Sequence, residues 1–130
     1  MLQGDDELNQ ITEKIIGCSY KVGAVLGSGF AEKVNENALT HELRKAGLRV
    51  EQQYPITVHY DGIVVGEFVA DLLVEGRVLV ELKTVRVLDD AHMAQCINYL
   101  AATGLPICLL INFGTRVEVK RVMGKARKEY

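Results

Sequence analysis

The chain has 130 residues, 48% hydrophobic and 25% charged, with a formal net charge of −2. This is the composition of a globular protein rather than a disordered or fibrous one, and the length suits a single domain around one core. No apolar run approaches the roughly 20 residues that span a bilayer. The opening Asp5-Asp6-Glu7 is too acidic for a signal or transit peptide, so a cytoplasmic protein is expected. Cys18, Cys96 and Cys108 lack metal-ligand spacing, and their odd number argues against a disulfide framework. They read as small buried thiols. The net charge does not announce a nucleic-acid binder. Even so, Arg116, Lys120, Arg121, Lys125, Arg127 and Lys128 crowd the end of the chain, as a solvated terminus or as a phosphate-contacting patch.

From Glu7 to about Leu26, apolar residues recur at three- and four-residue steps, the stripe of an amphipathic helix. Gly27-Ser28-Gly29 interrupts it, with Ser28 the expected cap of a second helix running to about Ala46 and ended by Gly47. On that helix Glu32, Glu36, Leu39 and Leu43 share one stripe, and Lys33, Asn37, Thr40 and Arg44 form the expected solvated face. Val50–Tyr60 alternates as a half-buried strand, Asp61-Gly62 is a hairpin turn, and Ile63–Val74 is a second strand. Glu75-Gly76-Arg77 is the next turn. Val78–Thr84 is a nearly continuous apolar strand of the kind buried on both faces. Asp89 and Asp90 open a third helix that ends at Gly104, with Met93, Ile97 and Leu100 as its expected apolar face. Ile107–Ile111 is a buried strand and Val117–Val122 an edge strand. The order is α-α-β-β-β-α-β-β. The first three strands form a meander, and the third helix makes a right-handed parallel crossover.

Asp71, Glu81 and Lys83 lie inside two adjacent apolar strands. Burying an isolated charge there costs several kcal/mol unless it is paired or metal-bound. Glu81 and Lys83, two apart on a strand, point the same way. A three-residue turn at Glu75–Arg77 pairs Val74 with Val78 and sets Asp71 opposite Glu81, about 5 Å away. A two-residue turn would put them on opposite faces. Carboxylates so apposed repel unless a cation lies between them, and hard oxygen ligands suit Mg²⁺ or Mn²⁺. The alternative is a cross-strand ion pair without chemistry. Glu32 and Glu36 are either acids at the rim of a buried face or further support for the metal site. Gln95 and Tyr99 are neighbours on the third helix, beside His92.

Asp71 followed by Glu81-Leu82-Lys83 resembles the D…ExK signature of the PD-(D/E)XK nuclease superfamily. Gln95-x-x-x-Tyr99 resembles the QxxxY motif of its RecB-like and phage-exonuclease branches. The segment from Gly29-Phe30-Ala31-Glu32 to Leu39 is similar to the N-terminal motif of the small bacterial GxxExxY family within that superfamily, with Asn35 standing where that family has tyrosine. Leu43–Leu48, Ala70–Val74, Asn98–Leu100 and Leu109–Gly114 also match, so the resemblance extends from about Leu8 to Val122. It implies an α/β fold with a mixed sheet flanked by helices and a Mg²⁺- or Mn²⁺-dependent phosphodiester hydrolase acting on nucleic acid, with DNA the expected substrate. In that scheme Asp71 and Glu81 hold the metal, and Glu36 or Glu32 supports it through water. Lys83 acts on the attacking water and the developing phosphate charge, and Gln95 and Tyr99 orient Lys83 or the substrate. The competing expectation is a non-catalytic module of the same fold that binds nucleic acid or a protein partner.

Overall fold

The computed structural model describes residues 3–124. In chain order it contains α1 (Gln3–Leu26), α2 (Glu32–Lys45), β1 (Val50–Tyr60), β2 (Ile63–Val74), β3 (Val78–Lys83), α3 (Asp90–Thr103), β4 (Ile107–Phe113) and β5 (Val117–Met123). The five strands form one sheet in the order β1-β2-β3-β4-β5, antiparallel except for the parallel β3–β4 pair. The meander, the crossover through α3 and the edge position of β5 are therefore as the sequence pattern requires. No helix among the described residues is long and apolar enough to cross a membrane.

β3 and β4 lie at the centre and are buried on both faces, which is why neither shows polar alternation. Val78, Val80 and Leu82 of β3 and Leu109 and Ile111 of β4 pack with Ile15, Leu39 and Leu43 beneath α1 and α2. Leu79, Cys108 and Leu110 face the opposite way and pack with Cys96, Tyr99 and Leu100 of α3. Cys96 and Cys108 are buried and Cys18 is half-buried, and all three are free thiols.

Two turns set the register. Asp61 (φ 53°) and Gly62 (φ 76°) are both left-handed, as a two-residue hairpin turn demands. At the next turn Val74 pairs with Val78, giving the odd-length Glu75–Arg77 loop.

Three local expectations fail. The residue capping α2 is Ala31, without a side-chain cap bond, rather than Ser28. Thr40 is buried rather than solvated, because α1 packs beside α2 and widens the covered stripe. On α3 the buried residues are Cys96, Tyr99 and Leu100, whereas Ile97 is exposed. The sheet meets that helix about one residue around from the most apolar stripe, so Tyr99 is buried in place of Ile97.

α1 crosses β5 closely at Gly23, where an added Cβ would collide with the Val117 side chain, whereas Gly17 of the same helix has open space. Gly17→Ala should therefore stabilise by about 0.5–1 kcal/mol. Gly23→Ala should lower the melting temperature, and Val117→Ala in the same background should return part of the loss. Equal shifts for the two glycine variants would contradict the close crossing.

Candidate active site at the β2–β3 fork

The β2–β3 ladder runs through Val74–Val78, Leu73–Leu79 and Leu72–Val80 and then stops. Asp71 and Glu81 would be the next facing pair. Instead, the Asp71 backbone N–H donates to Glu81 Oε1 at 2.9 Å, and the Leu82 N–H donates to Asp71 Oδ2 at 2.7 Å. Each carboxylate thus takes a backbone donor from the opposite strand. β3 continues against β4, pairing Glu81 with Leu110 and Lys83 with Asn112. β2, traced backward from Asp71, continues against β1 alone. The two strands fork at the acidic pair.

β1 and β2 also change face at this level. Val50 and Leu72 pack under α1 and α2, while Tyr54, Ile56 and Ala70 pack on the α3 side. Unbroken alternation would put Val50 and Tyr54 on the same face. The break falls at Gln53, a left-handed non-glycine residue (φ 56°) that register sets opposite Asp71. Its side-chain amide donates to Glu36 Oε1 at 2.7 Å and also hydrogen-bonds the Asp71 carboxylate.

Glu36 is nearly inaccessible at 2% exposure, and three side chains donate to it: Lys33 at 2.9 Å, Gln52 at 2.7 Å and Gln53 at 2.7 Å. Glu32, half-buried one turn earlier, is pushed up in pKa by burial and then by the negative charge of Asp71, with Lys83 opposing. Asn35 is buried, and its side-chain oxygen has no hydrogen-bond partner among the described residues.

The electrostatics of the fork follow from burial. Desolvation raises Asp71, against the Leu82 N–H and the positive charge of Lys83. Desolvation and the neighbouring Asp71 charge push Glu81 up to about 8. Lys83 favours the ionised form of Asp71, Glu81 and Glu32, yet among the described residues no salt bridge engages it. Tyr99 is buried, its hydroxyl accepts from Gln95 Nε2 at 3.0 Å, and burial followed by the Glu81 charge raises it to about 12. Asp71, Glu81, Lys83, Gln95 and Tyr99 therefore converge at one end of the sheet. His92 instead closes a capping box with Asp89 at the start of α3.

Asp71 and Glu81 fit a divalent cation as an apposed oxygen-donor pair, both raised in pKa first by burial and then, for Glu81, by the charge of its neighbour. Among the described residues no cluster of three or more His, Cys, Asp or Glu could hold one. A cation at the fork would complete its shell with water and a phosphate oxygen, the usual habit of Mg²⁺.

The sequence pattern did not reveal three residues at this end of the fold. Gln53 is one, and only the Gln52-Gln53 pair in an otherwise alternating strand hints at it. Asn112 is the second: its amide accepts from the Val85 N–H at 3.0 Å and donates to the Val85 carbonyl at 2.8 Å. This fixes the segment leaving Lys83. Arg86 is the third, sharing with Arg116 a 380 Å³ cavity lined also by Asn112, Thr115 and Glu118. Among the described residues, the other members of the C-terminal basic group do not line this cavity. Lys120 and Arg121 lie along β5, Arg121 donates to Thr12 of α1 at 2.9 Å, and Lys125, Arg127 and Lys128 fall outside the described residues.

A mixed five-stranded sheet covered by helices on both faces, with an acidic pair where two strands part, defines a nuclease-type α/β fold. Residues 9–122 match the sequence model of the PD-(D/E)XK nuclease superfamily, and the chain belongs to that superfamily. Among solved structures it is similar to SSO0001 (TM-score 0.58, 16% identity, covering 74% of this chain and 52% of that one). It is also similar to the alkaline exonuclease LHK-Exo from Laribacter hongkongensis (TM-score 0.55, 15% identity, covering 96% of this chain and 73% of that one). The chain thus spans about half the length of SSO0001. No curated protein matches it in sequence.

The acidic pair should leave a mark on stability. An unfolded glutamate titrates near 4.5, whereas Glu81 in the fold titrates at about 8. The folded protein keeps a proton that the unfolded chain releases, so stability is full below about pH 4.5 and falls as pH rises to about 8. Asp71, also raised, adds to the fall in the same sense. Melting temperatures in a chelating buffer should decline across pH 5–8 in wild type. Glu81→Gln should flatten the decline, and an unchanged slope in that variant would assign the titration elsewhere.

Proposed function

We propose that this chain is a divalent-cation-dependent nuclease of the GxxExxY branch that hydrolyses phosphodiester bonds, in DNA, at the β2–β3 fork. The setting we propose is the bacterial cytoplasm. The observation that carries the reading is the reciprocal exchange between Asp71 and Glu81, which gathers two protonatable carboxylates where the sheet opens, beside a lysine that no salt bridge engages among the described residues. A purely structural ion pair would instead bring Lys83 into contact with one of the acids.

Asp71 and Glu81 supply the oxygen ligands, and Mg²⁺ or Mn²⁺ bound there would polarise the scissile phosphate and lower the pKa of a bound water. Ligation requires both acids ionised, so binding releases the proton held by Glu81 and strengthens as pH rises. Lys83 offsets charge developing on the phosphate and orients the attacking water. Gln95 holds the Tyr99 hydroxyl toward that region. Glu36, through Gln53, positions Asp71 rather than contacting substrate, and Glu32 lies close enough to Asp71 to assist through water. Arg86 and Arg116, which have no ion-pair partner among the described residues, contact a neighbouring phosphate of the strand.

Mg²⁺ or Mn²⁺ should raise the melting temperature by mass action, and Asp71→Asn should remove that rise. Equal thermal shifts in the two proteins would place the ion elsewhere.

Catalysis and binding should separate by residue. Lys83→Ala should reduce turnover with Mn²⁺ by about two orders of magnitude or more, the usual scale for a charge-stabilising group. Oligonucleotide affinity measured in Ca²⁺ should change far less. Arg86→Ala and Arg116→Ala should do the opposite, weakening affinity and lowering the salt dependence by about one counterion each. A wild type that binds but never cleaves with any metal would make the chain a non-catalytic binding module. One that does neither would end the nucleic-acid reading.

A further inference from the structure

The antiparallel fork leaves β2 before Asp71 and most of β1 projecting as a hairpin past the end of β3. Between this hairpin and α3 lies a groove of about 570 Å³. Phe68 with Thr57 and His59 forms one wall, and Asn98, Ala101 and Ala102 form the other. That volume lies within the range of small-molecule sites, roughly 300–1,000 Å³. The groove lies beside the fork: the Phe68 ring on its wall is 5.8 Å from that of Tyr99, whose hydroxyl sits in the field of Glu81 and Asp71. Phe68 remains 48% exposed despite that contact.

The groove offers a phosphate no ammonium or guanidinium. None of the described residues lining it carries a carboxylate, ammonium or guanidinium, and no lysine or arginine occurs from Val50 to Gly76. The cations lie on the other side of β3, where Lys83 is followed by Arg86 and the β4–β5 turn carries Arg116. The groove offers instead the Phe68 ring, the Val58 side chain beside it, small alanine methyls and the Asn98 amide, with Thr57 and His59 among its lining residues. A flat, uncharged heteroaromatic ring with donors and acceptors on its edge fits that set. A base inside a duplex has both faces stacked and its pairing edge occupied, so only an unpaired base could occupy the groove.

We infer that this groove binds an unpaired nucleobase of the substrate strand on the hairpin side of the scissile phosphate, so that the site acts on single-stranded or frayed nucleic acid. The inference rests on the nuclease reading and adds a substrate class to it. The strand would cross the open end of the sheet with phosphates toward Arg86 and Arg116 and one base turned toward Phe68.

The test uses fluorescently labelled oligonucleotides in Ca²⁺: a single strand, a blunt duplex of the same sequence, and single strands with one abasic site moved along the chain. A single strand should bind about tenfold or more tighter than the blunt duplex. One abasic position should weaken binding by roughly 5- to 150-fold, the equivalent of one lost base–aromatic stack. Phe68→Ala should lose a comparable factor on the intact strand and nothing more on the sensitive abasic strand, and Phe68→Trp should restore affinity. Asn98→Ala, on an exposed helix position, gives a second variant that does not disturb the sheet. Equal affinity for single strand and duplex, or insensitivity to every abasic position, overturns the inference. So does a dimer that Phe68→Ala converts to monomer with strand affinity unchanged, since the groove would then be a contact between copies. Lys83-dependent cleavage of blunt duplex as fast as single strand would remove the base site and leave the nuclease reading intact, whereas absence of all binding and cleavage would remove both.

Discussion

The exchange of backbone donors between Asp71 and Glu81 is the interaction on which the rest of this architecture depends. Two carboxylates facing each other across adjacent strands repel, and burial penalises each further. An ordinary ladder would leave both without a donor. By turning toward the opposite backbone, each acid gains a main-chain N–H donor while the strands separate. The separation sends β3 on with β4 and leaves β1 and β2 as a two-stranded projection. Fork, site and hairpin thus follow from one local substitution of side-chain bonds for main-chain bonds.

That opening is braced from both sides. Gln53 adopts a left-handed conformation that is sparsely populated for a residue with a side chain and costs on the order of 1–3 kcal/mol. The conformation directs its amide to Glu36 and Asp71, linking α2 to the fork. On the other side, the Asn112 amide reproduces both bonds of a ladder step with Val85 and so extends β3 beyond Lys83. Gly114 is required there, since a Cβ would lie 2.7 Å from the Val85 carbonyl oxygen. Supporting bonds of this kind hold reactive side chains within the narrow tolerances that chemistry needs.

The charge at this end of the sheet is distributed unevenly. Arg86 and Arg116 share the cavity at the β3–β5 side, whereas the groove between the hairpin and α3 is lined by no lysine, arginine or carboxylate. A net charge of −2 conceals this, because overall charge bears on solubility and long-range steering whereas binding depends on local arrangement. On the proposed reading, the surfaces flanking the fork set which substrate this chain takes.

Much of the fold was legible in the sequence because it depends on local rules. Apolar runs marked β3 and β4, Asp89 and Gly104 marked the ends of α3, and the three-residue turn fixed side-chain parity, bringing Asp71 level with Glu81. Ser28, Thr40 and Ile97 were misplaced where a neighbouring helix or the sheet overrode the local pattern. Gln53 carries no glycine or asparagine signature of positive φ, and the partners that hold it there come from α2 and β2. Arg86 and Arg116 lie far apart in the chain and meet because β3 and β4 run parallel and end at the same edge. The sequence by itself determined periods, turns and parity, since each is set by residues within a few positions of one another. The tertiary structure alone decided where the ladder stops, which side chains brace the opening and which charges share a cavity, because these depend on contacts between elements that the chain brings together only when the sheet is assembled.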